Sequence, residues 1–190
     1  MLKNFAVKHS VIIIVSLLLL DQVTKYLTKT YLELGESIDI LGDFFRLTYV
    51  ENPGMAFGLR MENTALFLLL SLFAAGLVFY YMYKLRNESW PLQAAIAMIA
   101  SGAIGNLSDR FIRGSVVDFM DFEFFDITIP AFSFFGFDFS GYPMTRWPVF
   151  NIADMAVSSG MIIIFAYILI KGDPDKAPAR ESTQTNPNAG

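Results

Sequence analysis

The chain has 190 residues, is 54% hydrophobic with a mean hydropathy of +0.47, and carries a formal charge of −4 at neutral pH. That is too apolar for an ordinary soluble domain, the length suits a single domain, and the acidic balance argues against a nucleic-acid partner. Cysteine is absent and His9 is the only histidine, which removes thiol nucleophiles, disulfides, a histidine base and a His-rich zinc site, and leaves Asp/Glu, Lys, Ser/Thr and Tyr for chemistry.

The apolar residues come in runs, which marks an integral membrane protein whose membrane part is all-α. Four transmembrane helices are expected, at about 7–28, 65–83, 91–111 and 150–170, within one membrane domain over residues 1–172. Each run is close to the roughly 20 residues needed to cross hydrocarbon. The first has Lys3 and Lys8 before the core Val11–Leu20, like a cleaved leader. It continues as DQVTKYLTKTY with no small-x-small pattern, so it reads as a retained signal anchor.

Four spans put both termini and the short link Lys84–Trp90 on one side, and segments 30–63 and 112–149 on the other. Lys and Arg are densest in the short segments of the first side, which places the termini in the cytoplasm. In the second outer segment, 122–147 is an aromatic insert with partial alternation around Ile127–Ile129 and Phe132–Phe139, broken by Pro130 and Gly136. That pattern predicts a short hairpin along the membrane surface, a small β-rich interfacial subdomain outside the cytoplasm. Residues 173–190 have the composition of a disordered tail.

Polar residues converge on the outer side. Asp21 lies near the outer end of span one, Asn52 and Gly54 lie in the first outer segment, and Asn106, Asp109 and Arg110 share a helix face at the end of span three. Asp118 lies in the second outer segment, and Asn151 and Asp154 open span four. A carboxylate inside an apolar helix is functional by default, which singles out Asp154. Two carboxylates in a low-dielectric site share one proton, so that one accepts a proton from water while the other activates a carbonyl, without metal or histidine. Asp118 with Asp154 is one such pair, and Asp109 or Asp121 could stand in for Asp118. Plainer roles are a structural ion pair for Asp109 with Arg110, a turn at Asn52-Pro53-Gly54, a helix cap for Asp21, and solvated loop charges for Asp121, Asp126 and Asp138.

These residues together resemble the lipoprotein signal peptidase (signal peptidase II) family. Asp21-Gln22-x-Thr24-Lys25, Asn52-x-Gly54-x-Ala56-Phe57, Gly102-x-x-Gly105-Asn106-x-x-Asp109-Arg110, Gly114-x-Val116-x-Asp118-Phe119 and Phe150-Asn151-x-Ala153-Asp154 follow the family's motifs in order. The resemblance implies a four-helix aspartic endopeptidase of the bacterial cytoplasmic (inner) membrane with its site facing the periplasm. It would cut diacylglyceryl-modified prolipoproteins just before the lipidated cysteine, use no cofactor or metal, sit among membrane lipids and bind globomycin-type inhibitors. Asp118 and Asp154 would then be the catalytic dyad, with Asp21, Asn52, Gly54, Asn106, Arg110 and Asn151 supporting the site or binding substrate. Two departures stand out. Ser101 replaces a usual glycine, and the aromatic insert is longer than the family shows, which suggests a flap over the lipid-side entrance.

Other classes make different demands. A small proton-coupled transporter needs acids along a path to both faces. A non-catalytic scaffold tolerates Asp118→Asn. A Ser–Lys peptidase needs Ser108 or Ser115 beside Lys25.

Overall fold

A computed structural model describes residues 2–56, 59–60, 64–124, 126–134, 137–139 and 141–171. Helices α1 (Leu2–Tyr31), α2 (Thr64–Lys84), α3 (Trp90–Arg113) and α4 (Ile152–Lys171) fall where the four apolar runs predict them. The expected tail, 173–190, lies outside the described residues.

Helix α3 is the hub against which α1, α2 and α4 all pack. Its buried face is built from small residues, among them Ala94, Ala95, Ala97, Ala100, Ser101, Gly102 and Gly105. Small side chains let neighbouring helix backbones approach closely. A Cβ on Gly102 would run into the Ala153 carbonyl and Val157 of α4, and one on Gly105 would sit 2.7 Å from Asp21 Oδ2. Ser101 uses its extra atom, donating a hydrogen bond to the Ile14 carbonyl of α1 at 3.1 Å.

Burial in the bundle runs opposite to that of a soluble protein. Val11, Ile12 and Leu19 of α1, Leu69, Leu70 and Phe73 of α2, and Ile162, Phe165 and Leu169 of α4 are exposed, whereas Lys25, Asp109 and Asn151 are 0% exposed. Large apolar side chains outside and charges inside suit a hydrocarbon solvent, not water. Exposed aromatics cluster at both ends, with Tyr80, Tyr83 and Trp90 at one and Tyr26, Tyr31 and Phe111 at the other, as in membrane-interface belts. The stretch Lys8–Tyr31 of α1 and the whole of α4 are each long and apolar enough to cross a membrane, and Leu68–Lys84 of α2 is a shorter apolar helix.

The outer segments hold more strand than their sequence suggests. Strands β1 (Ser37–Leu41), β2 (Phe45–Asn52) and β5 (Val116–Phe122) form an antiparallel sheet in the order β1-β2-β5. Leu32, at the end of α1, packs with Tyr49 and Val117 and seats this sheet on the bundle. A short pair, β3 (Met55–Ala56) with β4 (Leu59–Arg60), follows β2. The aromatic insert is the expected hairpin, built as two successive ladders. Strand β6 (Ile127–Ile129) pairs with β9 (Tyr142–Met144), and inside them β7 (Phe132–Phe134) pairs with β8 (Phe137–Phe139).

The insert leaves and returns through a closed neck. Met120 and Phe150 exchange backbone hydrogen bonds at 2.8 and 3.1 Å, and Trp147 N–H donates to the Phe122 carbonyl at 2.9 Å. Phe122 stacks on Phe45 (4.5 Å between centroids) and on Phe150 (5.7 Å). Arg146 fastens the neck, donating to Asp121 Oδ1 at 2.7 Å, Glu123 Oε2 at 2.5 Å and the Asp43 carbonyl at 2.9 Å. Asp121, expected as a solvated loop charge, is therefore buried: it also accepts the Thr48 hydroxyl at 2.7 Å. Asp126 is exposed as expected, and the Asp138 side chain lies outside the described residues.

Candidate active site

Two local devices deliver Asp118 and Asp154. The first is Gly114, which ends α3 with φ 80° and returns its N–H to the Arg110 carbonyl. A left-handed cap of this kind favours glycine because other residues carry a Cβ that clashes there. It turns the chain from α3 straight into β5, with Asp118 third in that strand. Opposite it, β2 carries one extra residue: Thr48 and Tyr49 together face Phe119, and Val50 then stands opposite Asp118. Such bulges bend a strand and re-aim its side chains.

The second device is the start of α4. Asn151 precedes the helix; its Oδ1 accepts the Asp154 N–H at 3.0 Å while Asp154 Oδ2 accepts the Asn151 N–H at 3.2 Å. This reciprocal box satisfies otherwise orphaned donors and fixes the Asp154 side chain at the positive end of the helix. Asp21 caps the same terminus from another helix, its Oδ1 accepting the Ala153 N–H at 2.9 Å. The sequence reading of Asp21 as a cap holds, but the helix it caps is α4, not its own.

The two carboxylates lie in one hydrogen-bonded constellation. Asn151 Nδ2 donates to Asp118 Oδ1 at 2.7 Å and to Asn106 Oδ1 at 3.1 Å, and Asn106 Nδ2 donates to Asp154 Oδ1 at 2.7 Å. Asn52 Nδ2 reaches Asp118 Oδ2 at 3.2 Å, and the Asn52 Oδ1 accepts the Gly54 N–H at 3.0 Å. Gly54 has φ 122°, a backbone setting that side chains rarely tolerate, so the Asn52 turn depends on it. Arg110 Nη1 donates to the Asn106 carbonyl at 3.1 Å, and its charge acts on Asp154, Asp118 and Asp109. All eight residues singled out from sequence therefore gather at one end of the bundle.

The Asp118 carboxyl is pushed up to about 7, by burial first and by the Asp154 carboxylate second, against the opposing pull of the Asn52 and Asn151 amides. A carboxyl so placed holds its proton near neutrality, when most aspartates have lost theirs. Asp109 does not pair with Arg110 as expected. Adjacent side chains on a helix point apart, and Asp109 pairs instead with Lys25 Nζ at 2.8 Å and with Arg113, one turn on.

Lys25, which the sequence placed only in the first motif and in the Ser–Lys alternative, stands at the centre of this network. It is fully buried and holds Asp21 Oδ2 at 2.8 Å, Asp109 Oδ2 at 2.8 Å and Asn106 Oδ1 at 3.0 Å. The i, i+4 spacing of Asp21 and Lys25 was the available signal. With its donors so engaged Lys25 is no base for a serine, and Ser115 donates elsewhere, to Glu51 Oε2 at 3.0 Å. The Ser–Lys arrangement is thus not assembled. Among the described residues no three His, Cys, Asp or Glu side chains cluster as metal ligands.

The bundle thus presents an apolar outer face and encloses an acid pair with its amide donors, and comparison with known proteins gives its class as a membrane protease. Residues 13–170 match the family model of signal peptidase (SPase) II. The chain is 35% identical over 162 residues to a lipoprotein signal peptidase of Moorella thermoacetica, covering 85% of this chain and 93% of that protein. It is 38% identical to the one from Caldanaerobacter subterraneus (86% and 97% covered) and 40% identical to that of Chlorobaculum tepidum (77% and 86%). Two solved bacterial membrane enzyme structures superpose with TM-scores of 0.68 and 0.66 at 30% and 29% identity, covering 90% and 86% of this chain and 93% and 94% of theirs. The chain belongs to the signal peptidase II family. It is accordingly a bacterial membrane protein and a protease, of the family that cleaves signal peptides from prolipoproteins.

Proposed function

We propose that this chain is an aspartic endopeptidase in which Asp118 and Asp154 activate one water to cut a diacylglyceryl-modified prolipoprotein just before its lipidated cysteine. The observation that carries the reading is the single hydrogen-bonded unit formed by Asp118, Asn151, Asn106 and Asp154. Water attacks the scissile carbonyl carbon while the ionised carboxylate takes its proton and the protonated carboxyl gives one to the carbonyl oxygen. The tetrahedral gem-diol then collapses: the C–N bond breaks, the departing nitrogen takes the proton gained from water, and a diol hydroxyl returns a proton to the other carboxylate. The dyad ends with one proton, as it began.

In this reading all four helices span the inner membrane, with the termini and the Lys84–Trp90 link in the cytoplasm and the dyad facing the periplasm. Support comes from the acids gathering at the bundle end opposite that link, and from the aromatic belts. Membrane lipids surround the bundle, globomycin-type inhibitors bind the enzyme, and the 122–147 insert lies over the lipid-side entrance. A proton-coupled carrier has no comparable support. Helix α2 has no acid and α4 has only Asp154, in its first turn, so no acidic path leads to the far face.

Cleavage of a purified diacylglyceryl prolipoprotein by wild type, Asp118→Asn and Asp154→Asn tests this. Each variant is expected to lose about 10³-fold or more in turnover while still binding substrate. Wild-type turnover by either one removes the dyad.

A further inference from the structure

We propose that Lys25 is a positioning residue for this reaction: its ammonium fixes the amide of Asn106 so that Asn106 Nδ2 points at Asp154. The inference rests on the dyad reading and adds to it the element that orients the Asp154 carboxylate.

An asparagine amide can sit in two orientations related by a flip, and its neighbours decide between them. With Oδ1 toward Lys25 and Nδ2 toward Asp154, both contacts are favourable, at 3.0 and 2.7 Å. Flipped, the NH₂ would face an ammonium and the oxygen would face a carboxylate. Asn151 cannot impose the choice alone. Its two Nδ2 protons are spread over Asp118 Oδ1 at 2.7 Å, Asn106 Oδ1 at 3.1 Å and the Val117 carbonyl at 3.2 Å, with the shortest bond to Asp118. Lys25 stands against Asp21 and Asp109 as ion pairs, both at 2.8 Å, and donates a hydrogen bond to Asn106 Oδ1 at 3.0 Å.

The surrounding charges serve this arrangement. A buried ammonium is costly unless every proton is matched, and a well-packed apolar group in its place is often no less stable. Asp21 and Asp109 match it here, Arg113 balances Asp109, and Gln22 Nε2 adds bonds to Asp21 at 3.1 Å and Asp109 at 3.3 Å. Asp21 also holds the first turn of α4 through Ala153 N–H. The line Lys25–Asn106–Asp154 thus crosses from α1 through α3 to α4. The charged and polar groups facing the dyad are Asp21 and Lys25 from α1, Asn106, Asp109 and Arg110 from α3, Asn52 from β2 and Asn151 before α4.

The test is the double variant Lys25→Met/Asp109→Asn, which removes one charge of each sign and leaves Asp21 its bonds from Gln22 Nε2 and Ala153 N–H. It is assayed on the full chain with a diacylglyceryl lipopeptide spanning the cleavage point, with sites counted by stoichiometric binding of that lipopeptide to enzyme on ice. The variant is expected to fold and to keep KM within about twofold, while kcat per counted site falls about 10- to 100-fold. The acid limb of the kcat profile is expected to move by about one pH unit, because a freed amide no longer holds its donor on the Asp154 carboxylate. Lys25 is also among the charges that act on Asp154, so the amide's own part is read from kcat per counted site at the pH optimum, where that limb has no effect. Wild-type kcat per site with an unmoved acid limb overturns the proposal. So does failure of the double variant to fold, which would make Lys25 a structural strut alone. Asp118→Asn in the same assay separates the two ideas: if it is inactive while the double variant is normal, only the Lys25 assignment falls, and if it is active the dyad reading itself falls.

Discussion

The polar end of the bundle and the aromatic insert lie on either side of one neck and are held by different forces. At the polar end, Asp21, Lys25, Asp109, Asn151 and Asp118 are buried, and each is matched to named partners. Buried polar groups lose much if left unpaired, so few arrangements compete. In the insert, rings stack face to face or edge to face around Phe122 and Phe124, and a single arginine ties the neck. Ring packing tolerates several geometries at similar energy. The contrast explains how a long aromatic insert leaves the acids together. Met120 and Phe150 close the neck directly between β5 and α4, so whatever length is added beyond it does not separate Asp118 from Asp154.

Breaking the polar end has the largest expected effect. Asn151→Leu removes the donor to Asp118 and the side-chain half of the α4 cap together. Turnover is expected to fall at least about 10²-fold, and loss of the cap costs about 1 kcal/mol in unfolding experiments. A variant with normal turnover would show that the cross-link between the carboxylates is dispensable. Next comes Gly102→Val, which touches neither acid. Its side chain has to push aside the Ala153 carbonyl and Val157, so α4 must shift, at about 1–3 kcal/mol with kcat lowered in parallel. An unchanged Tm and kcat would mean that close α3–α4 packing does not set the position of Asp154.

The pH response follows from Asp118. Its carboxyl is raised to about 7 by burial first and by Asp154 second, and on the dyad reading it would keep the proton that polarises the carbonyl until that pH and lose it above. Turnover is therefore expected to decline above about pH 7, approaching tenfold per unit. Asn52→Leu removes a donor that favours the charged form, so the alkaline limb should move to higher pH. A limb that stays put would disconnect Asn52 from Asp118.

Much of the polar end was legible from sequence. Carboxylates and amides at the ends of apolar runs are costly and therefore conspicuous, and helix spacing indicates which of them share a face. What escaped was set by partners remote in the chain. Lys25 was visible as part of a motif and as a possible serine partner, but not as a partner of Asn106, which is 81 residues away. Asp109 went to Lys25 for the same reason, and to Arg113 because the i, i+4 neighbour shares its helix face where the adjacent Arg110 does not. Strand β5 was missed because Val116, Val117, Asp118 and Phe119 are all buried, which erases the alternation that marks a half-exposed strand. The hairpin in 127–144 was found because Pro130 and Gly136 punctuate it.

On the other side of the neck, effects should be smaller and of another kind. Arg146→Met breaks the tie to Asp121, Glu123 and Asp43, and is expected to lower Tm by a few degrees, on the order of 1 kcal/mol for a partly exposed network, with less than about threefold change in kcat. Replacing 131–140 by a two-residue turn leaves the neck whole. That variant is expected to keep kcat while raising KM for the diacylglyceryl substrate several-fold if the insert covers the lipid-side entrance. Unchanged KM would rule out that role, and a collapsed kcat would show that the neck does not insulate the dyad.

The smallest expected effect lies on the seam between the two regions, at Glu51. It accepts Lys29 Nζ at 2.7 Å, the Tyr49 hydroxyl at 2.6 Å and the Ser115 hydroxyl at 3.0 Å, tying α1 to β2 and to the turn before β5. These partners, Lys29 first and Tyr49 next, hold its carboxyl down at about 2. A carboxyl lowered on folding adds stability that is complete above the ordinary value of 4.5 and disappears as pH falls toward 2. Glu51 and Lys29 are each about one-third exposed, so solvent screening limits the gain to about 1 kcal/mol. Glu51→Gln should therefore lower stability by that amount at pH 7 and by almost nothing at pH 2, with the pH 7 difference shrinking in 0.5 M salt, a concentration roughly five times that at which the Debye length is ~10 Å. Equal stability of the two proteins at pH 7 would show that the sheet is seated by Leu32, Tyr49 and Val117 alone.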